Sequence, residues 1–414
     1  MQSAQKQGKL NSYYFVYFMI CKNQGMVKNQ GMVMSNVLKE NPIVGLVGWR
    51  GMVGSVLMER MLAEGDFDGI TPVFFSTSNA GGQAPTFDKL SNSQLKDAND
   101  IAELAKCDVI LTCQGGDYTK AVHQPLRDSG WTGFWIDAAS SLRMANNSTI
   151  VLDPINREMI DKAIKNGQKD FIGGNCTVSL MLMAIGELFK RDWVEWVSAM
   201  TYQAASGAGA NNMRELIKGM GYIHNGATDE LTNPSKTILE LDRKVANLQR
   251  SDDFPKQYFG VPLAGSLIPY IDVQLDNNQS KEEWKGLVET NKILGNGDNN
   301  QVKIDGICVR IGAMRCHSQG LTIKLKKNIA LAEIENALKN SGNQWLDVVE
   351  NDKSASLERL TPVAVTGTLK VAIGRLRKMN LGDEYLTAFT VGDQLLWGAA
   401  EPVRRTLAIL RGKL

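Results

Sequence analysis

Short apolar runs punctuate the first half of the chain, and longer mixed stretches separate the first several of them. Ile43-Val44-Gly45-Leu46-Val47, Pro72-Val73-Phe74-Phe75, Val109-Ile110-Leu111-Thr112, Phe134-Trp135-Ile136, residues 150–152 and Phe171-Ile172 read as buried strands. The stretches between them carry helical character. Six strands joined by crossovers predict a doubly wound parallel sheet. From about residue 195 the period changes to alternation. Trp196 to Ala205 and Ile304 to Lys326 predict a mixed or antiparallel sheet, with helices near 211–220, 281–293 and 331–340. This part reads as a second, α+β domain. The last 20 residues, from Leu395, are helical and are expected to pack back on the first domain.

The glycine-rich turns refine this outline. Ile43 to Val47 runs into Gly48-Trp49-Arg50-Gly51-Met52-Val53-Gly54 and then a helical pattern from Ser55 to Ala63. Strand, glycine turn and helix open a dinucleotide-binding unit of the Rossmann type, in which glycines admit a pyrophosphate to a helix N-terminus. A plain tight strand–helix turn is the other reading. The second strand ends in Ser76-Thr77-Ser78, where an NAD site usually carries an acidic residue. Hydroxyls without that carboxylate, with Arg50 close in sequence, point to NADP over NAD. Ligands gather at the carboxyl ends of strands in such sheets. Three polar turns lie there: Gln114-Gly115-Gly116, Asp137 to Arg143, and the turn around Cys176. Ser206-Gly207-Ala208-Gly209-Ala210, between a strand and a helix, is a further place for backbone to approach a cofactor.

Residues 1 to about 40 differ from the rest. A nine-residue apolar run, Tyr13 to Cys21, follows Lys6 and Lys9, but no small-residue cleavage site follows it and it is too short to span a bilayer. Lys22-Asn23-Gln24-Gly25-Met26-Val27 repeats directly as Lys28-Asn29-Gln30-Gly31-Met32-Val33. The expectation is a disordered extension or a start-site artefact, with Met26, Met32 and Met34 as alternative starts. The expected boundaries are then 41–174 for the dinucleotide-binding domain, completed by about 395–414, and 175–394 for the second domain.

Charge and cysteine content narrow the classes. A net charge of +2 gives no basis for nucleic acid or an anionic membrane as partner. Six cysteines without C-x-x-C spacing argue for reduced thiols, no metal centre and a cytoplasmic setting.

Cys176 stands in Gly173-Gly174-Asn175-Cys176-Thr177-Val178-Ser179-Leu180, between a strand and a long apolar helical run. With Asn175 or Thr177 as cap, a thiol there meets the helix dipole and free N–H groups, which favour the thiolate. The other reading is a small residue in a tight turn. A Cys nucleophile needs a base, and the chain has only three histidines. His123 is placed mid-helix and His224 in a Gly-flanked loop. His317, in a polar turn between alternating strands, is the best candidate. Arg310 lies seven residues earlier, an odd offset that sets the two on opposite faces unless the chain bends. Arg143 and Lys285 are cations suited to a phosphate or carboxylate. Lys285, in an amphipathic helix start, reads otherwise as part of a solvated face.

Together these residues closely resemble aspartate-semialdehyde dehydrogenases of the bacterial type, from Ile43 to Ala408. The resemblance is carried by residues 48–54, 74–78, Thr112 to Tyr118, Trp135 to Arg143, 173–180, Thr201 to Gly207, Val261 to Pro269 and Gly392 to Pro402. It implies NADP-dependent interconversion of aspartate 4-semialdehyde plus phosphate with 4-phospho-aspartate, in the branch toward lysine (through diaminopimelate), threonine and methionine. It further implies Cys176 as thioester nucleophile and His317 as general acid/base. Gln203, Glu282 and Arg310 are implied as substrate residues, and Arg143 and Lys285 as the phosphate site. Arg50, Gly51, Met52, Val53, Thr77, Ser78, Gln114, Ser206, Gly207, Ala208, Gly209, Ala210, Pro234 and Gln394 are implied around NADP. A homodimer built across the second, catalytic domain is also implied. Residues 1–40 and the 295–301 loop fall outside it. Another acyl-phosphate reductase, or a non-catalytic NADP-binding protein, is the alternative.

Overall fold

The computed structural model describes residues 37–85 and 94–414. The expectation of a disordered extension or start-site artefact therefore falls, up to residue 36, outside the described residues.

The first sheet comprises β1 (Ile43–Val47), β2 (Thr71–Ser76), β3 (Lys96–Asp97), β4 (Val109–Thr112), β5 (Phe134–Asp137), β6 (Ser148–Val151) and β7 (Asp170–Gly173). Their order is β3-β2-β1-β4-β5-β7-β6, and every pairing is parallel. One strand exceeds the six expected. Lys96 and Asp97 are exposed, so the edge strand β3 carries no apolar signal. The inner strands are apolar throughout because both faces are covered: Val44, Ile110, Trp135, Ile136 and Phe171 are 0% exposed. Each such side chain contributes about 1.5–3 kcal/mol by leaving water.

The second sheet comprises β8 (Val194–Gln203), β9 (Leu267–Ile268), β10 (Lys303–Ile311), β11 (Cys316–Leu325), β12 (Leu346–Val348), β13 (Val371–Met379) and β14 (Gly382–Asp393). Their order is β12-β13-β14-β11-β8-β10-β9. It is mixed: β10 runs parallel to β8, and β11 runs antiparallel to both β8 and β14. The helix Cys176–Lys190 joins the two sheets. It starts at the end of β7 and buries Leu180, Met181, Leu182, Met183, Ile185 and Leu188 in the second core. Apolar residues all round it mark a helix enclosed on every side.

The final helix, Glu401–Leu410, returns to the first sheet. Arg404 Nη1 lies 2.7 Å from Asp66 Oδ2, and Arg405 grips Asp153. His224 departs from expectation. It lies within the helix Ala210–Gly226, which runs through the glycines that suggested a loop. Among the described residues no helix is long and apolar enough to cross a membrane.

Candidate active site

Cys176 is the first residue of its helix. Asn175 caps it, its Oδ1 accepting from the N–H groups of Thr177 (2.9 Å) and Val178 (3.2 Å). This capping sets Cys176 at the junction between β7 and its helix. Cys176 Sγ lies 3.2 Å from His317 Nε2.

His317 is the second residue of β11 rather than part of a turn. The seven-residue offset from Arg310 loses its meaning, because the chain reverses between β10 and β11. Those strands flank β8 on opposite sides. Arg310 registers with Gln203 on β8, and Ser318 faces Tyr202, so His317 comes level with Gln203. Arg310, Gln203 and His317 thus form a row across three strands, and all three are buried.

The Cys–His pair is uncharged. Burial pushes the Cys176 thiol up to about 12, and Glu282 adds to this against Arg143, Arg310 and Lys285. Desolvation and the Glu282 carboxylate thus work against the thiolate expected at a helix start, while the three cations favour it. Burial, helped by Arg310, holds His317 well below 6.5, so its imidazole is neutral.

A chain of charges surrounds the pair. Glu282 accepts from Asn175 Nδ2 (2.9 Å) and Gln203 Nε2 (3.3 Å) through one oxygen, and its other oxygen meets Lys285 Nζ at 2.9 Å. Lys285 Nζ also lies 2.7 Å from Asp272 Oδ2. Burial works against the Lys285 charge, but Glu282 and Asp272 outweigh it and raise its pKa. Glu289 joins Arg143 Nη1 (3.1 Å) to the Asn175 N–H (2.6 Å). Arg143 also donates to the Gly173 carbonyl. The solvated-face reading of Lys285 is corrected, since it is 8% exposed. Arg310 donates to the Ala204 carbonyl at 2.7 Å. Among the described residues, no carboxylate lies within ion-pair distance of it.

Sequence reasoning missed Glu289, Asp272 and the Ala204 peptide. Glu289 had a signal: Glu282, Lys285 and Glu289 share one face of the helix Lys281–Leu294 at i, i+3 and i+7. Asp272 and Ala204 had none.

The cofactor residues form two groups. At the strand ends, Arg50 Nη2 donates to Ser76 Oγ (2.9 Å) and Gln114 Nε2 to Thr77 Oγ1 (3.3 Å). Ser78 adjoins through its N–H to Ser76 Oγ. Gly48 has φ +72°, and a Cβ there would lie 2.5 Å from Gln114 N, so glycine keeps these two turns in contact. Gly51 caps the helix Met52–Ala63, whose first turn includes Val53, without any side-chain cap. Gly209 does the same for the helix starting at Ala210. Helix N-termini left open in this way suit phosphate groups.

The second group adjoins Cys176. Ser206, Gly207 and Ala208 lie in the one-turn helix Ala205–Ala208. Gln394 Nε2 donates to Ser206 Oγ at 2.7 Å. A Cβ on Gly398 would meet Cys176 Cβ at 2.7 Å and Gln394 Cβ at 3.2 Å. Pro234 stands in the turn after the helix Thr228–Thr232, and its assignment rests on the sequence resemblance.

Two family models match the chain: the NAD binding domain of semialdehyde dehydrogenases over residues 43–163, and their dimerisation domain over residues 185–397. Among solved structures, aspartate semialdehyde dehydrogenase from Francisella tularensis is 48% identical, with a TM-score of 0.84 over 89% of this chain and 99% of that one. Aspartate semialdehyde dehydrogenase II from Vibrio cholerae, complexed with ASA, is 20% identical (TM-score 0.71, 90% and 98% covered). The enzyme from Candida albicans, with NADP, is 15% identical (TM-score 0.59, 89% and 98% covered). The last two share the fold.

Proposed function

The chain belongs to the semialdehyde dehydrogenase family, and from that premise we propose that it interconverts 4-phospho-L-aspartate with L-aspartate 4-semialdehyde and phosphate, using NADP. The observation that carries this reading is the Cys176–His317 contact at 3.2 Å, set in a row with Gln203 and Arg310.

Cys176 is positioned to attack the acyl carbon. A C–S bond forms, the C–O bond to phosphate breaks, and the thioester spares the enzyme from reducing an unactivated carboxylate. Arg143 and Lys285 receive the departing phosphate. Each already faces a carboxylate, Glu289 or Glu282, so their charge is oriented before the ligand arrives. Arg310, with no ion-pair partner among the described residues, pairs with the substrate α-carboxylate. Glu282 and Gln203 hold the remaining polar end. His317 serves the reacting centre as hydrogen-bond and proton partner. NADP fits the open helix starts behind Gly51 and Gly209, with Arg50 and the hydroxyls of Ser76, Thr77 and Ser78 at its 2′-phosphate. When bound, it exchanges the hydride.

A homodimer accords with the dimerisation-domain match. It also accords with Met200, Tyr202 and Ile307, exposed apolar residues on the β8–β10 face of the second sheet. The cytoplasm supplies the reducing setting that a thiol nucleophile needs, and the five described cysteines are free. The boundaries at 41–174 with 395–414, and at 175–394, belong to the same reading.

The test compares phosphate-dependent NADP reduction on aspartate semialdehyde, N-acetylglutamate semialdehyde and glyceraldehyde 3-phosphate. The highest kcat/KM is expected for the first. An equal or higher value on another aldehyde overturns the substrate assignment, and tighter binding of NAD than NADP overturns the cofactor assignment.

A further inference from the structure

The helix Lys281–Leu294 carries one more charged residue on the face that meets the site. Lys285, Glu289 and Lys292 stand at i, i+4 and i+7 and so share that face. Lys292 takes no part in the chemistry described above. Its Nζ donates to the Arg143 carbonyl at 2.6 Å, to the Ala145 carbonyl at 2.7 Å and to Ser148 Oγ at 3.2 Å. An ammonium group has three N–H donors, and here all three go to the segment joining β5 to β6. That segment carries Arg143.

We propose that Lys292 is a positioning residue of the phosphate site. By pinning the backbone of Arg143 to the helix that bears Lys285, it fixes how the two cations face one another. For the role of those cations the proposal rests on the reading above.

One helix then mounts both halves of the site. Lys285 belongs to it, and Arg143 is reached from it twice: its side chain by Glu289 (Nη1 to Oε1, 3.1 Å) and its main chain by Lys292. Arg143 Nε is spent on the Gly173 carbonyl at 2.6 Å, while Nη2 has a contact of 3.4 Å with the Ala138 carbonyl. Nη2 is thus the corner of the guanidinium left for an anion. Where that corner points depends on the main chain around residue 143, which lies in neither strand nor helix. The Arg143, Ala145 and Ser148 N–H groups bond to the carbonyls of Ser140, Leu142 and Ala145. Those bonds shape the segment from within and tie it to nothing else. Among the described residues, the Arg143 carbonyl has one donor besides Lys292, Ser148 Oγ at 3.4 Å. Burial acts against the charge of Lys292 and Glu289 supports it, so the ammonium is held half out of water to serve these carbonyls.

In the oxidative direction, hydrogen phosphate attacks the thioester. A C–O bond forms, the C–S bond breaks, and sulfur takes the electron pair and the proton that phosphate gives up; nothing is oxidised or reduced in that step. Oxidation of the aldehyde comes before it and needs no phosphate. Lys292 therefore bears on the phosphate step alone.

Lys292→Met keeps the stem and removes the ammonium. In the full-length protein, kcat/KM for phosphate is expected to fall at least about tenfold, through KM. NADP affinity, and the burst of NADPH formed from aldehyde and NADP without phosphate, are expected to stay near wild type. An unchanged KM for phosphate, or a burst reduced as much as turnover, overturns the proposal. Arg143→Ala supplies the background that separates positioning from charge. There Lys292→Met is expected to cost less than about twofold more, and an undiminished loss overturns the proposal. Lys292→Arg keeps the charge and the donors, so KM for phosphate is expected within about threefold of wild type; a loss equal to that of Lys292→Met overturns it. Phosphorus NMR titration of inorganic phosphate needs no aldehyde. Weaker binding to Lys292→Met is expected, and equal affinities overturn the proposal. A wild-type protein that binds phosphate but does not turn over aspartate semialdehyde contradicts the substrate reading alone.

Discussion

Cys176 and His317 meet because a helix start and a strand end converge on a point where burial costs charge. Neither side chain is charged there, and the polar atoms around them are committed to one another. Residue types made the two candidates, one cysteine at a glycine-flanked helix start and one of three histidines, and the family resemblance assigned their roles. Arg310 was legible only as a suspect, because an odd offset looks wrong when a reversal between strands is hidden in Gly312-Ala313-Met314-Arg315. The charge state of the thiol was not legible at all, since it depends on burial and on Glu282, which approaches from another element. Gly207 illustrates how tight the site is. A Cβ there would lie 2.8 Å from Arg310 Nη1, closer than side chains tolerate, so either Arg310 or the His317 ring must shift. Gly207→Ala is expected to lower kcat/KM by at least about tenfold, equivalent to ~1.4 kcal/mol, with the melting temperature nearly kept. Steady-state kinetics beside a thermal melt check this, and unaltered kinetics contradict it.

Two helices carry most of the chemistry, and they differ in how far their sequences reveal it. The helix Cys176–Lys190 announces its start with Asn175 and its burial with an unbroken apolar run. The helix Lys281–Leu294 has a capping box, with Ser280 and Glu283 bonded reciprocally, and a face of Glu282, Lys285 and Glu289 that resembles a solvated surface. Only the neighbour it packs against shows that this face is interior. Asn175 couples the two, giving its side-chain oxygen to the first helix and its nitrogens to Glu282 and Glu289. Asn175→Ala is expected to cost about 1 kcal/mol for the lost cap and to reduce turnover by much more than that loss of stability predicts. Asn175→Asp keeps the cap but sets a carboxylate beside Glu282 and Glu289, so it is expected to regain stability only in part and to remain poorly active. Denaturant midpoints and turnover for both variants decide the point; an active Asn175→Asp enzyme contradicts it.

The two sheets were legible as classes, parallel then mixed, because full burial and half burial leave different apolar periods. Strand order in the second sheet and the edge strand β3 were not legible, since they depend on contacts between distant segments. The return of the last helix was expected from its pattern: Val403, Leu407, Ile409 and Leu410 bury in the first core, and Arg404 bridges Glu401 and Asp66 with almost no exposure. Removing one partner of a buried network leaves uncompensated charge, so Arg404→Ala is expected to destabilise the protein by about 3–5 kcal/mol, read from urea denaturation. Just below pH 6.5, acid acts on the protein through His317. Its folded pKa lies below the ordinary 6.5, so the neutral ring's contribution is present above that pH and is lost as the pH falls, because the unfolded chain takes up a proton that the fold refuses. Stability is expected to decline below about pH 6.5, by up to ~1.4 kcal/mol per pH unit from this group, and less steeply in His317→Gln.

Mass spectrometry of the protein mixed with 4-phospho-L-aspartate in the absence of NADPH tests the reaction most directly. An aspartyl adduct on Cys176, labile to hydroxylamine and missing from Cys176→Ser, is the predicted result. An unmodified Cys176 under conditions where the same preparation turns over, or an adduct on another residue, contradicts it.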